Sequence, residues 1–196
     1  DSTAVRSEAN WVRGVNANLP DDIRAQWSVA VDDSFHARFS ARRRYYRYVI
    51  LNRKVASAVL RHRVCHEYRS LDHEAMQLAA RALVGEHDFT SFRAAGCQAK
   101  SPPREIYRLA VTRSGDCVYI DVEANAFLHH MVRCIAGVLL AIGRGEQPVG
   151  WATEVLAACD RTVSGVNAPP AGLYLVEVRY DPSCGLPMEP YLPVFG

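Results

Sequence analysis

The chain has 196 residues, is 49% hydrophobic and carries a formal net charge of +2 at pH 7, which is enough for one large or two small domains with a packed core. Its composition is that of an ordinary soluble globular protein, with no internal repeat or low-complexity segment, and the total charge names no partner. Six scattered cysteines without a Cys-x-x-Cys pair argue against a disulfide framework, and the longest apolar run, Cys134 to Gly143, is too short to span a bilayer; free thiols and a cytoplasmic location are expected.

In chain order, Ser7 can cap a helix carrying Ala9, Val12 and Val15 that stops at Leu19-Pro20. Ile23, Ala25, Trp27, Val29 and Val31 alternate with polar residues and predict a half-buried strand. Arg44 to Leu51 predicts a second strand. Asp72 can cap a helix with Met76, Ala79, Ala80 and Leu83 on one side, ended by Gly85. A long loop is expected from Glu86 through Pro102-Pro103, and loops of that length are usually functional or disordered. Two strands, about Glu105–Arg113 and Cys117–Asn125, flank Ser114-Gly115-Asp116 as a hairpin. Asn125 can cap the strongest helix, about Phe127 to Ile142; another covers about Trp151 to Cys159, and Leu173 to Tyr180 is a last strand before a proline-rich tail. Strands outnumber crossover helices, so the expected fold is α+β, with a largely antiparallel sheet and helices packed on one face.

The charge is unevenly distributed. Between Ser34 and His66 there is no Asp or Glu, while Arg38, Arg42, Arg43, Arg44, Arg47, Arg53, Lys54, Arg61 and Arg63 all fall there. Such a stretch suits a polyanion, or is a solvated basic face. In the second strand Arg44, Tyr46, Tyr48 and Ile50 share one face and Tyr45, Arg47, Val49 and Leu51 the other. Aromatic rings beside cations provide base stacking with phosphate contact, although cross-strand tyrosine packing gives the same pattern. Arg133 sits among Met131, Val132 and Ile135 and needs a partner, because an unpaired buried charge is costly; a carboxylate or a phosphate would serve. His129, His130 and Cys134 lack a second ligand cluster, so no metal site is predicted. Asp160-Arg161-Thr162 reads as an ordinary helix-end sequence.

Together these segments resemble the tRNA pseudouridine synthase A family, in order along the chain. The matching stretches are Gly14–Pro20, Phe35–Ala41 with Arg44, Tyr46 and Tyr48, Asp88–Arg93 continued by Cys97–Arg104, Asn125–Arg133 with Gly137, Gly172–Leu175 and Pro190–Phe195. The resemblance implies an isomerase that converts uridine to pseudouridine in the anticodon stem-loop of tRNA without cofactor or metal. It implies an aspartate nucleophile that attacks the ribose or the base. By the same resemblance Tyr46 stacks on the uracil and helps remove its C5 proton, Arg133 pairs with the catalytic aspartate, Leu173 lines the uracil pocket, and Arg38 contacts tRNA near the cleft. Arg42, Arg43, Arg44 and Arg47 are expected to bind tRNA, and a homodimer is expected. The family's Gly-Arg-Thr-Asp-Ala-Gly motif does not occur in the 196 residues. The expectation is therefore that residues 1–32 are a remnant of an N-terminal domain, that residues 33–196 form the C-terminal synthase domain, and that the chain alone is inactive. The alternative is a non-catalytic tRNA- or RNA-binding module.

Overall fold

The computed structural model describes residues 4–94, 96–97, 101–165, 167–187 and 192–195. The chain forms two compact units, one comprising residues up to Ser40 with Tyr180–Pro187, the other Ala41–Arg179 with the last residues of the chain.

In the first unit, helix α1 spans Glu8–Asn16 and the Ser7 side chain accepts from the Asn10 amide at its start, supplying an otherwise missing acceptor for an end N–H. Asn16 clasps the following segment, donating through Nδ2 to the Ala25 carbonyl at 2.8 Å and accepting from the Ala25 amide at 2.7 Å. The stretch predicted as a strand at Ile23–Val31 is not one: among the described residues it has no ladder partner, and alternation alone cannot make a strand without a hydrogen-bonded neighbour. Trp11, Val12, Val15, Trp27, Val29 and Val31 line an open groove of about 620 Å³. The Phe35–Ser40 turn is closed by His36, whose Nδ1 accepts from the Arg38 and Phe39 amides, and by Tyr180, whose hydroxyl donates to the Ala37 carbonyl.

The second unit is a six-stranded sheet with helices. Strand β1 (Arg43–Asn52) and β2 (Cys65–Glu67) are followed by α2 (His73–Ala80), capped by the Asp72 side chain. A 3-10 turn, Arg81–Leu83, leads into β3 (Gly85–Asp88), and a second turn, Thr90–Phe92, follows. The predicted structureless loop from Glu86 thus opens with a strand that pairs antiparallel with β4. Strands β4 (Pro103–Ser114) and β5 (Cys117–Ala124) form the expected hairpin. Helix α3 is Met131–Gly143, α4 is Trp151–Ala158 and β6 is Leu173–Arg179. Helix α3 starts later than predicted: Asn125 is not its cap, and the residue before the helix is His130 with φ 63°.

The strand order is β3-β4-β5-β1, and the other edge of β1 is shared. Antiparallel β6 pairs with Arg43 to Tyr48, and parallel β2 with Ile50 to Asn52. All other pairings are antiparallel. The main core lies on the face that carries Tyr48, Ile50, Val118, Ile120 and Val122, against Met131, Ile135 and Leu139 of α3 and Met76 of α2. Val49, Leu51, Val64, Cys117 and Tyr119 form a smaller cluster on the other face, with Phe195 of the tail packed on it.

Gly172 sits where β6 and β2 meet on β1. Its φ is +99°, and an added Cβ would lie 2.4 Å from the Val49 carbonyl oxygen and 2.9 Å from the Cys65 nitrogen. The Gly172 carbonyl accepts from the Val49 amide at 2.8 Å, so the backbone cannot retreat without losing that bond. Gly172→Ala is expected to destabilise the fold by about 2–3 kcal/mol, read as a lowered midpoint in urea unfolding; an unchanged midpoint would show that the junction is loose.

Candidate functional site

Strand β1 presents its alternate residues as the sequence indicated. Tyr48 is fully buried beneath the helices, and its hydroxyl donates to the Pro169 carbonyl at 2.7 Å. Tyr46, two residues earlier on the same face, is only partly buried, and its ring meets Phe127 edge-on with centroids 5.0 Å apart. Leu173 pairs with Tyr48 in register and is likewise half-buried. All three of Tyr46, Phe127 and Leu173 pack at the margin of the main core. The β1–β6 register slips between Tyr45 and Tyr46, and such a bulge re-aims the side chains beside it. Burial raises the Tyr46 phenol above its ordinary value, the Arg44 charge acting the other way, so Tyr46 is a neutral ring at physiological pH. The cluster offers apolar edges and one aromatic face, which suits a flat ring.

Arg133 lies on the first turn of α3. Its Nε donates to the Ala168 carbonyl at 2.8 Å, while the Ala168 amide donates to the Arg133 carbonyl. The next residue, Cys134, points its thiol at Asn167 Oδ1, 3.1 Å away. Helix α3 and Tyr48 therefore hold the Asn167–Pro169 strip that leads into Gly172 and Leu173. Among the described residues no carboxylate forms an ion pair with Arg133. The structural carboxylate that would explain this arginine is not found among them.

The Asn125–His130 loop is pinned at both ends. Asn125 Oδ1 accepts from the Glu105 and Ala126 amides, and its carbonyl accepts from Arg44 Nη1 at 2.8 Å. The His129 carbonyl accepts from the Ala94 amide at 2.9 Å, just after a turn whose Phe89 and Phe92 are fully buried. Four stretches singled out in the sequence, on β1, at Asp88–Arg93, at Asn125–Arg133 and at Gly172–Leu175, thus converge in one unit.

The arginines divide sharply. Arg42 and Arg43 are exposed, with Arg43 3.2 Å from Glu123 and 4.2 Å above the Tyr107 ring. Arg44 is spent on the Asn125 and Ala41 carbonyls. Arg47 projects from the opposite face to Tyr46 and makes a two-pronged bond to Asp121, 2.8 Å for each prong. Its guanidinium also lies 4.6 Å from the Tyr119 ring centroid, and its side chain is 11% exposed. The Arg47 donors and Nη1 of Arg44 bond to protein oxygens, while Arg42 and Arg43 lie at the surface. Tyr45, beside Arg47, is pushed up to about 12 by burial and by its hydrogen bond to Asp121. Arg38 is exposed and belongs to the first unit, its guanidinium 5.6 Å from the Phe39 ring.

His129 and His130 lie before α3 with ring centroids 4.0 Å apart, and no group of three or more metal-ligating side chains occurs among the described residues. Asp160 closes a turn: Oδ1 accepts from the Thr162 amide, and hydrogen bonds from Thr162 hold the carboxyl below its ordinary range. Among the described residues no cysteine is joined in a disulfide, and no helix is long and apolar enough to cross a membrane. Sequence reasoning gave Asn125 a different task and passed over the Asn167–Pro169 strip, whose one local signal is Pro169-Pro170 just ahead of Gly172.

The sequence profile of the family described as tRNA pseudouridine synthase matches residues 79–181. Over 195 residues the chain is 52% identical to tRNA pseudouridine synthase A of Coxiella burnetii (strain Dugway 5J108-111), which takes in all of this chain and 75% of that relative. It is 51% identical, with the same coverage, to tRNA pseudouridine synthase A of Shewanella sp. (strain MR-4). The corresponding protein of Shewanella denitrificans is 50% identical over the same length.

Proposed function

The chain belongs to the tRNA pseudouridine synthase family, and from that premise we propose that it forms the uracil-holding part of an isomerase that converts uridine to pseudouridine in the anticodon stem-loop of tRNA. The reaction breaks the bond from ribose C1′ to uracil N1 and makes one from C1′ to C5; N1 gains a proton and C5 loses one. No oxidant or reductant is consumed. The target nucleotide must first leave its stack. Tyr46 then stacks on the freed uracil, and Leu173 closes the apolar side of the pocket. Tyr46, a neutral phenol at the pH of reaction, lies beside the C5 position and guides the departing proton.

Arg133 orients the nucleophilic aspartate by a two-pronged bond. The observation that carries this reading is the arginine itself: an Arg on a largely buried helix, anchored by Nε to Ala168, with no carboxylate among the described residues to neutralise it. The aspartate comes from outside the 196 residues, whose sequence lacks the Gly-Arg-Thr-Asp-Ala-Gly motif. On this reading residues 1–32 belong with the aspartate-bearing domain and residues 33–196 form the C-terminal domain. Arg38, Arg42 and Arg43 contact the tRNA backbone, and the enzyme works as a cytoplasmic homodimer without cofactor or metal.

The expected result is that the 196-residue chain binds a tRNA transcript and forms no pseudouridine, assayed by mass spectrometry of the digested RNA. Turnover by this chain alone would overturn the assignment of the nucleophile to another segment. Absence of the aspartate motif from the gene upstream would favour the second reading, a tRNA-binding module without catalysis.

A further inference from the structure

At the far end of β1 from Tyr46 is a second basic site. Asn52, Arg53, Lys54, Tyr68, Ser70 and Arg113 line a cavity of about 390 Å³ closed below by Leu71. Six residues of strand separate Tyr46 from Asn52, roughly 20 Å at about 3.3 Å per residue. The site is therefore well away from the uracil cluster.

Its floor is built rather than incidental. The Asn52 carboxamide uses its full hydrogen-bonding capacity. Nδ2 donates to the Glu67 carbonyl at 3.0 Å and the Arg69 carbonyl at 2.6 Å, and Oδ1 accepts from the Leu71 amide at 3.2 Å and Arg113 Nη2 at 2.8 Å. Arg113 Nη2 also donates to the Leu71 carbonyl at 3.0 Å. Arg113 is thus held in place by one edge of its guanidinium, which leaves its other donors available. Arg53 is anchored by Nε to the Val55 carbonyl and lies 3.6 Å from Asp116. Among the described residues neither Lys54 nor Arg113 forms an ion pair with a carboxylate. Tyr68, 57% exposed, brings an aromatic face to the same cavity, and Arg69 lies 5.4 Å from that ring.

We propose that this cavity is a second tRNA-binding site, taking a backbone phosphate on Lys54 and Arg113 and the neighbouring base on Tyr68. The proposal rests on the reading of the chain as a tRNA-acting protein. An anchored arginine and an exposed lysine, neither paired with a carboxylate among the described residues, stand beside an exposed ring and suit a nucleotide of a folded RNA. A phosphate contact there adds affinity and fixes the register of the tRNA while leaving the chemistry to the uracil cluster.

The test is tRNA binding by the 196-residue chain, measured by fluorescence anisotropy across a salt series. Lys54→Gln is expected to weaken binding about 3–10-fold at low salt and to lower the salt slope by about one, the signature of one lost phosphate contact. Tyr68→Ala is expected to weaken binding by a similar factor with the slope unchanged. Wild-type affinity and slope in both variants, with tRNA still bound, would overturn the site and leave the tRNA reading standing. A wild-type chain that binds no tRNA at low salt would overturn both. Neither Lys54 nor Tyr68 is buried, so both variants are expected to fold, which their thermal unfolding checks directly.

Discussion

Arg133→Lys is expected to reduce pseudouridine formation about 10²–10³-fold in a polypeptide that also carries the aspartate motif, while leaving tRNA affinity nearly unchanged. Lysine keeps the charge but lacks the planar fork that grips both oxygens of a carboxylate. The loss belongs in kcat, because in the proposed role Arg133 acts on the reacting group rather than on the bulk of the tRNA. Single-turnover kinetics at saturating tRNA would measure it. The fold should persist in part because the strip that Arg133 anchors has two further ties, Cys134 to Asn167 and Tyr48 to Pro169. A variant that keeps full activity would remove Arg133 from the catalytic centre. One that loses activity by unfolding would show that its bond to Ala168 is its main task, and circular dichroism separates these outcomes.

Asp121→Ala is expected to destabilise the second unit by about 3 kcal/mol, toward the lower end for a broken buried ion pair, since the Arg47 side chain keeps 11% exposure against 6% for Asp121. The damage comes from the stranded guanidinium, which loses both charge-assisted bonds. Asp121 also accepts from Tyr45, so two side chains, Arg47 and Tyr45, lose a partner at once. The companion variant Arg47→Met is expected to cost less, because its stem can still pack on Tyr119. It should leave the salt dependence of tRNA binding as it was, whereas reversal at Arg42 or Arg43 should change it. A drop in salt slope with Arg47→Met would restore Arg47 to the RNA contacts. Urea unfolding and salt-dependent binding on the same variants check both halves.

How legible these features were depended on how local their causes are. The faces of β1 could be read because alternation is written into neighbouring residues, and both faces proved to be packed. The β4–β5 hairpin could be read from its turn. Strand β3 could not: Gly-Glu-His-Asp has no strand propensity and is held by pairing with β4. Ile23–Val31 failed in the reverse sense, having the pattern without a neighbour. Asn125 was a sound cap candidate, but Glu105 and Arg44 claim its oxygens, and the helix starts only at Met131. The bond from Arg47 to Asp121 was not legible because the two are 74 residues apart. At the candidate site Tyr46, Leu173 and Arg133 were singled out through their motifs. The strip that Arg133 grips was not, because the contact exists only once α3 is docked.

The shared edge of β1 also bears on how the chain is made. Strand β6 follows β1 by roughly 120 residues, so most of the contact between them is of very high sequence separation. At about 5–20 residues per second, a ribosome that has released β1 needs on the order of 6–24 seconds to deliver β6. Meanwhile Tyr46, Tyr48 and their neighbours have an open hydrogen-bonding edge in the cell. That nascent edge is rich in arginine, and like-charged strands repel one another. The basic stretch proposed to contact RNA in the finished protein can thus also keep unfinished copies apart during synthesis.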